Sequence, residues 1–169
     1  EMLEAISKAE LGDDVFQEDP TVNKLEHLAA KTFNKESAIF MPSGTMANLV
    51  AILTHCQRGD EVILGDQSHT FLYEAGGISS FGGVHSRQIK NYDDGTMSLE
   101  DIKNSIRKKD VHFPPSRLVC LENTHNRCFG MPLDINYINK VSEIVKNNSM
   151  MLHVDGARIF NAAAALNKS

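Results

Sequence analysis

Short apolar segments alternate with helical ones along this chain, and no other feature constrains its fold as strongly. Five segments have the length and composition of strands: 37–41, 61–64, 84–89, 118–121 and 150–154. The clearest helix carries its apolar residues at helical spacing from Ile135 to Val145. Strands joined through helices require crossover connections, so the alternation predicts an α/β fold with a mostly parallel sheet flanked by helices on both faces.

Local signals predict further helices. Helical spacing is present in residues 2–9, and Asp19-Pro20 is typical of a helix start, because aspartate caps and proline fits the first turn. Ser98 and Asp101 resemble a capping box for another helix. The helix after Pro20 has one apolar stripe: Val22, Leu25, Leu28 and Ala29.

The composition predicts a folded globular protein with a small-molecule partner. Hydrophobic residues make up 41% and charged residues 23% of the 169 residues, and the formal net charge is -5. Because the lysines and arginines are scattered, we predict neither a nucleic-acid nor a membrane partner. We see no membrane-spanning run and no signal peptide. Three cysteines without a C-x-x-C pair fit reduced thiols, hence a cytoplasmic location.

Four polar segments follow predicted strands. They are residues 42–45, 66–69, 122–126 and 155–158. Parallel sheets bind ligands beyond the carboxyl ends of their strands. We therefore expect all four segments along one end of the sheet.

Two of these segments suit a phosphorylated heteroaromatic cofactor. The turn of Ser43, Gly44 and Thr45 opens a helix, whose free N–H groups can hold a phosphate, although an ordinary N-cap is the simpler interpretation. Asp155 ends an apolar strand, where its carboxylate needs a cationic or hydrogen-bonding partner. A protonated pyridine nitrogen is one candidate, and Arg158 or the next helix is the alternative.

Three histidines lie in or near these segments. His69 and His125 suit aromatic stacking or proton transfer, although surface histidines are the simpler interpretation. His153 shares a strand face with Asp155 and either orients that carboxylate or is a core histidine. A metal site from His125 and two cysteines, Cys120 and Cys128, matches no usual zinc spacing, so we predict no metal.

Together these segments resemble the low-specificity L-threonine aldolase family, pyridoxal-phosphate enzymes of the aspartate-aminotransferase fold group. The matching stretches are 12–16, 19–23, 42–48, 69 with 74–77, 121–126 and 153–158. The resemblance implies that Ser43, Gly44 and Thr45 hold the cofactor phosphate. It further implies that His69 stacks on the cofactor ring and that Asp155 binds its pyridine nitrogen.

On the substrate side, the resemblance implies that His125 lies near the substrate hydroxyl and Arg158 near the substrate carboxylate. The implied reaction is retro-aldol cleavage of L-threonine or L-allo-threonine to glycine and acetaldehyde, in a homotetramer. Whether His125, His69 or a water is the base stays open. Alternatives are an aminotransferase, a β-eliminating lyase, or a catalytically silent fragment.

The chain departs from the family pattern at three places. The Arg-Ser-Asp-Thr motif that opens family members is not in the sequence, and Phe16 replaces a tyrosine common in relatives. The family's cofactor lysine lies beyond the Asp-Gly-Ala-Arg motif, and Lys168 is too close to Asp155 to replace it. We therefore expect residues 1–169 to be an incomplete large cofactor-binding domain, without the small C-terminal domain.

Overall fold

The computed structural model describes residues 1–168, which form two compact units. The first unit comprises residues 1–42, and the second begins at Ser43. No helix among the described residues is long and apolar enough to cross a membrane.

The first unit contains two helices, α1 (Met2–Lys8) and α2 (Pro20–Thr32), with a short 3₁₀ turn between them. The predicted start of α2 is confirmed, because the Asp19 carboxylate accepts the Val22 N–H at 2.8 Å. The apolar stripe of α2 is not buried: Leu25 and Leu28 are about half exposed. Helical spacing therefore located the helix correctly but did not show what covers its apolar side.

The strand predicted at 37–41 is absent from the described structure, and that prediction is wrong. Ile39 and Phe40 are exposed, and the Phe40 N–H donates to the Glu26 carboxylate instead of to a neighbouring strand. A β-strand requires a ladder partner, so an apolar run with strand propensity stays extended and irregular without one.

The second unit alternates strands and helices. Its elements are α3 (Gly44–His55), β1 (Glu61–Gly65), α4 (His69–Leu72), α5 (Gly77–Ser80), β2 (His85–Ile89), α6 (Leu99–Ser105), β3 (Ser116–Glu122), α7 (Ile135–Asn147), β4 (Met151–Asp155) and α8 (Ile159–Ala165). The four strands form one parallel sheet in the order β2-β1-β3-β4. The predicted strands at 61–64, 84–89, 118–121 and 150–154 are confirmed, as is the parallel sheet.

Successive strand residues point to opposite faces, and each face has its own apolar core. Val62 and Leu118 pack on one face with Ile52 of α3. Ile63 and Val119 pack on the other face with helices α6 and α7. Helices therefore cover both faces, as the alternation of elements predicted.

The sheet brings the carboxyl ends of its strands together. Glu122 at the end of β3 is in register with Asp155 at the end of β4, and the Asn123 N–H donates to the Asp155 carbonyl at 2.9 Å. Beside them, β1 ends at Gly65 and is followed by α4, which begins at His69. The polar segments predicted to follow β1, β3 and β4 thus lie at one end of the sheet.

Candidate active site

Asp155 is held as a hydrogen-bond acceptor at the carboxyl end of β4. Its Oδ2 accepts from the Asn48 side chain at 2.9 Å, and its Oδ1 accepts from the Ala157 N–H at 3.1 Å. Arg158 binds other groups, and the side chain of Asp155 does not cap α8. Both alternatives for Asp155 are therefore wrong, and each carboxylate oxygen keeps a lone pair for a further donor.

Asn48 connects Asp155 with two other side chains. Its Nδ2 lies 2.8 Å from Glu74 Oε1 as well as 2.9 Å from Asp155 Oδ2. Its Oδ1 lies 3.0 Å from His153 Nε2. Burial, the largest cause, lowers the pKa of His153. His153 thus supports Asp155 indirectly, through Asn48.

His69 begins α4 and is held at both its backbone and its ring. The backbone N–H donates to Glu122 Oε2 at 2.7 Å, and Nδ1 lies 2.9 Å from Glu74 Oε1. The ring lies 5.5 Å from the Tyr73 ring, centroid to centroid. With its side chain 39% exposed, His69 is fixed in place and still offers part of its surface to a ligand.

The site concentrates negative charge. One ring nitrogen of His69 and one carboxylate oxygen each of Glu74 and Asp155 all lie within 4.8 Å of one another. Two carboxylates at such a separation repel by about 3 kcal/mol at an effective dielectric constant of about 20. The group could hold a metal ion, but no cysteine belongs to it. Cys120 packs in the core beside α3, so the structure gives no support to a site built from His125 and the cysteines.

Glu122 ties the loops after β1, β3 and β4 together. Its two oxygens accept from the His69 N–H, from the Asn126 N–H at 2.9 Å and from Arg158 Nη2 at 3.3 Å. Arg158 also donates to Thr124 through Nε and Nη2, while Nη1 makes no hydrogen bond to the described residues. The Nε and Nη2 side of the guanidinium is thus held by the protein, and Nη1 is left to donate to a ligand.

His125 is buried, so the surface-histidine interpretation is wrong for it. Its side chain is 1% exposed, and neither ring nitrogen makes a hydrogen bond to the described residues. Glu122 Oε2 lies 3.9 Å from Nε2, beyond hydrogen-bond range. Burial, the largest cause, lowers the pKa of His125, which favours a neutral imidazole. Gly95 packs on the His125 side chain, because a Cβ at position 95 would lie 2.7 Å from His125 Cβ and 3.3 Å from the ring atom Cγ.

Ser43, Gly44 and Thr45 form the exposed start of α3. Ser43 Oγ accepts the Met46 N–H at 3.1 Å, so the simple capping interpretation holds in this structure. Asn48 follows Ser43 by five residues, or about 7.5 Å along a helix axis. The same helix therefore offers free N–H groups at its start and contacts Asp155 one and a half turns later.

Three buried polar residues of the site were given no individual role from the sequence: Asn48, Glu74 and Glu122. Two of them carried a signal. Asn48 shares the buried side of α3 with Ile52, four residues later, so it is a polar residue at a core position. Glu122 ends an apolar strand, as Asp155 does. Glu74 follows a four-residue helix and shows no comparable pattern.

The residues fit a phosphorylated pyridine cofactor. An anionic acceptor, an exposed helix start and a partly exposed imidazole lie at the carboxyl end of one parallel sheet. The unsatisfied ring nitrogens of His125 are also at this end of the sheet.

Solved structures define the class of this fold. A threonine aldolase of Leishmania major matches 96% of the chain with a TM-score of 0.79 at 22% identity, and the match covers 46% of that protein. A Listeria monocytogenes protein assigned as an L-allo-threonine aldolase matches 99% with a TM-score of 0.82 at 25% identity, again over 46% of its length. The fold is the large domain of fold type I pyridoxal-phosphate enzymes.

The chain belongs to the β-eliminating lyase family, whose match spans residues 1–169. Low-specificity L-threonine aldolase 1 of Arabidopsis thaliana is 52% identical over 168 residues, which are 98% of this chain and 47% of the relative. The low specificity L-threonine aldolase of Escherichia coli K12 is 47% identical over 164 residues, 97% of this chain and 48% of that enzyme. The chain spans about half the length of these relatives.

Proposed function

We propose that the protein is a pyridoxal-phosphate-dependent aldehyde-lyase that cleaves L-threonine and L-allo-threonine to glycine and acetaldehyde. The observation that carries the proposal is Asp155, held by Asn48 and the Ala157 N–H with lone pairs left for a ring nitrogen. The names of the Arabidopsis and Escherichia coli relatives support the choice of substrate and reaction.

The cofactor roles follow from charge and exposure. Ser43, Gly44 and Thr45 offer backbone N–H groups and hydroxyls to the phosphate at the start of α3. His69 covers one face of the ring, held there through Glu74. Asp155 keeps the ring nitrogen protonated. When bound, the cofactor supplies a sink for the electrons released as the Cα–Cβ bond breaks.

The substrate roles use groups that the structure leaves unsatisfied. Arg158 offers Nη1 to the substrate carboxylate while Glu122 and Thr124 fix the rest of its guanidinium. His125, kept neutral by burial, takes the proton of the β-hydroxyl at a ring nitrogen. Arg158 thus orients the amino acid, and His125 holds the proton that the β-hydroxyl loses as its oxygen becomes the aldehyde carbonyl.

We also infer a homo-oligomer, a tetramer by resemblance, that works in the cytoplasm. The exposed apolar residues of α2, Leu25 and Leu28, support a protein contact on that helix. All three cysteines are buried and free of disulfide bonds, which is consistent with a reducing compartment. Light scattering on the complete protein measures the number of subunits.

Asp155→Ala in the complete protein tests the proposed function. We expect at least about a 100-fold loss of threonine-dependent glycine release, together with weaker cofactor binding, because the ring nitrogen loses its carboxylate. Asp101→Ala is the matched control, since Asp101 is an exposed aspartate on α6, which carries none of these motifs. Ordinary turnover in Asp155→Ala would contradict the assignment.

A further inference from the structure

We propose that Asn48 is a positioning residue for the pyridine-binding carboxylate, and that with Glu74 it makes the site select a ring with a positively charged nitrogen. The inference rests on the proposed function, because it takes Asp155 as the partner of the ring nitrogen. It extends that function to two residues that lie behind Asp155 and His69.

The orientation of the Asn48 amide follows from its neighbours. Nδ2 faces an oxygen of Glu74 at 2.8 Å and an oxygen of Asp155 at 2.9 Å. Ionised carboxylates only accept hydrogen bonds, so a reversed amide would place its own oxygen against both. Each Nδ2 hydrogen therefore has one carboxylate partner, and the amide links the two anions.

This orientation also fixes the proton on His153. Asn48 Oδ1 can only accept, so the His153 Nε2 that lies 3.0 Å away must donate. Burial lowers the pKa of His153, which favours the neutral ring with its proton on Nε2. His153 thus holds the amide oxygen without bringing a positive charge to the carboxylates.

The network leaves the two carboxylates without a fixed positive charge among their hydrogen-bond partners. Glu74 accepts from Asn48 and meets His69 Nδ1 at 2.9 Å, and Asp155 accepts from Asn48 and the Ala157 N–H. One carboxylate oxygen each of Glu74 and Asp155 and one ring nitrogen of His69 lie within 4.8 Å of one another. A cationic ring is attracted by both carboxylates, whereas a ring without nitrogen gains nothing from either.

Removing the amide should act on ring recognition specifically. Leucine at position 48 has the same branched skeleton as asparagine and suits the apolar side of α3, where Ile52 is buried. It donates nothing, so Asp155 Oδ2 loses its side-chain donor and the carboxylate can rotate. Hydrogen bonds to charged groups correspond to about 10- to 100-fold in an equilibrium constant, which sets the expected loss.

The test compares two ligands in the complete protein. Calorimetry measures the affinity of apo-protein for pyridoxamine 5'-phosphate and for its carbocyclic analogue, in which a C–H replaces the ring nitrogen. In Asn48→Leu we expect about a 10- to 100-fold weaker affinity for the pyridine ligand and less than about a twofold change for the analogue. Asn104→Leu, at an exposed position of helix α6, is the control and should change neither affinity.

Two further variants make every outcome decisive. Asn48→Ala removes the donor without adding a charge, so it must show the same ligand selectivity if Asn48→Leu does not fold. Equal losses for both ligands, or no loss for either, would overturn the role of Asn48. Asp155→Asn separates the two proposals. If it loses only the pyridine ligand while the Asn48 variants bind normally, only this inference fails, and absence of wild-type binding would contradict the proposed function.

Discussion

Asp155 illustrates how single residues at the carboxyl end of the sheet are prepared for a ligand. A carboxylate at the end of an apolar strand is stable only with donors around it, and here Asn48 and the Ala157 N–H provide them. Each carboxylate oxygen of Asp155 thus accepts one hydrogen bond from these two donors. The remaining lone pairs are the part of Asp155 that a cationic ring can use.

His125 leads to a prediction about the substrate. Its buried, neutral ring has two nitrogens without partners, so in the complete protein we expect His125→Ala to lower turnover about 100-fold or to change the preference between threonine and allo-threonine. Cofactor affinity should stay within about twofold. Steady-state kinetics on both diastereomers measure this. Unchanged rates and preference would remove His125 from the reaction.

The sequence placed Asp155 and His69 toward the carboxyl end of the sheet, because each lies at or shortly after the end of a predicted strand. Their roles toward a cofactor stay a prediction. Asn48 was not assigned a role, since its partners are Glu74 and His153, which lie far from it along the chain. A hydrogen-bond partner across the fold leaves no periodicity in the sequence.

At the scale of elements, Glu122 joins three loops into one rigid unit. The carboxylate accepts from His69 after β1, from Asn126 after β3 and from Arg158 after β4. The relative positions of these loops are therefore determined by one buried side chain at the end of the central strand β3.

Glu122→Gln should loosen all three loops together. The amide places an NH₂ group against donors that need an acceptor, which we expect to cost about 2 kcal/mol. This cost is smaller than is usual for breaking a buried ion pair, because solvent screens Arg158, whose side chain is 39% exposed. Urea unfolding measures the cost. Glu143→Gln, an exposed change on α7, is the control, and equal unfolding midpoints in the two variants would contradict the role of Glu122.

Helix starts were the most predictable elements, because a cap is a contact between near neighbours. Asp19 and Ser98 both accept the N–H three residues later, as their spacing indicated. The strand at 37–41 was wrong for the opposite reason. Strand formation depends on a remote ladder partner, and the apolar composition of 37–41 does not contain that information.

At the scale of the whole molecule, the sheet of the second unit separates two apolar cores, with the buried His125 and the partly buried His153 toward its carboxyl end. Burial lowers the pKa of both His125 and His153 below the ordinary value of 6.5. The unfolded chain then takes up protons at a higher pH than the folded one. Stability is full above pH 6.5 and falls as the pH drops below it.

Urea unfolding between pH 7.5 and 5 tests this dependence in the complete protein. The free energy of unfolding should decrease over that range, and His153→Gln should reduce the decrease. Carboxylates with lowered pKa, such as Asp94, titrate below this window, from an ordinary value of 3.8 downward. His27→Gln is the control at an exposed site. A slope that His153→Gln leaves unchanged would contradict burial as the cause.

We propose that the carboxyl end of the sheet serves cleavage of a Cα–Cβ bond. The most direct measurement is carbon NMR of the complete protein supplied with pyridoxal phosphate and uniformly carbon-13-labelled L-threonine. We predict equal amounts of doubly labelled glycine and doubly labelled acetaldehyde, and no such products with Asp155→Ala. A four-carbon keto acid as the labelled product would show β-elimination or amino transfer instead, and would contradict the account.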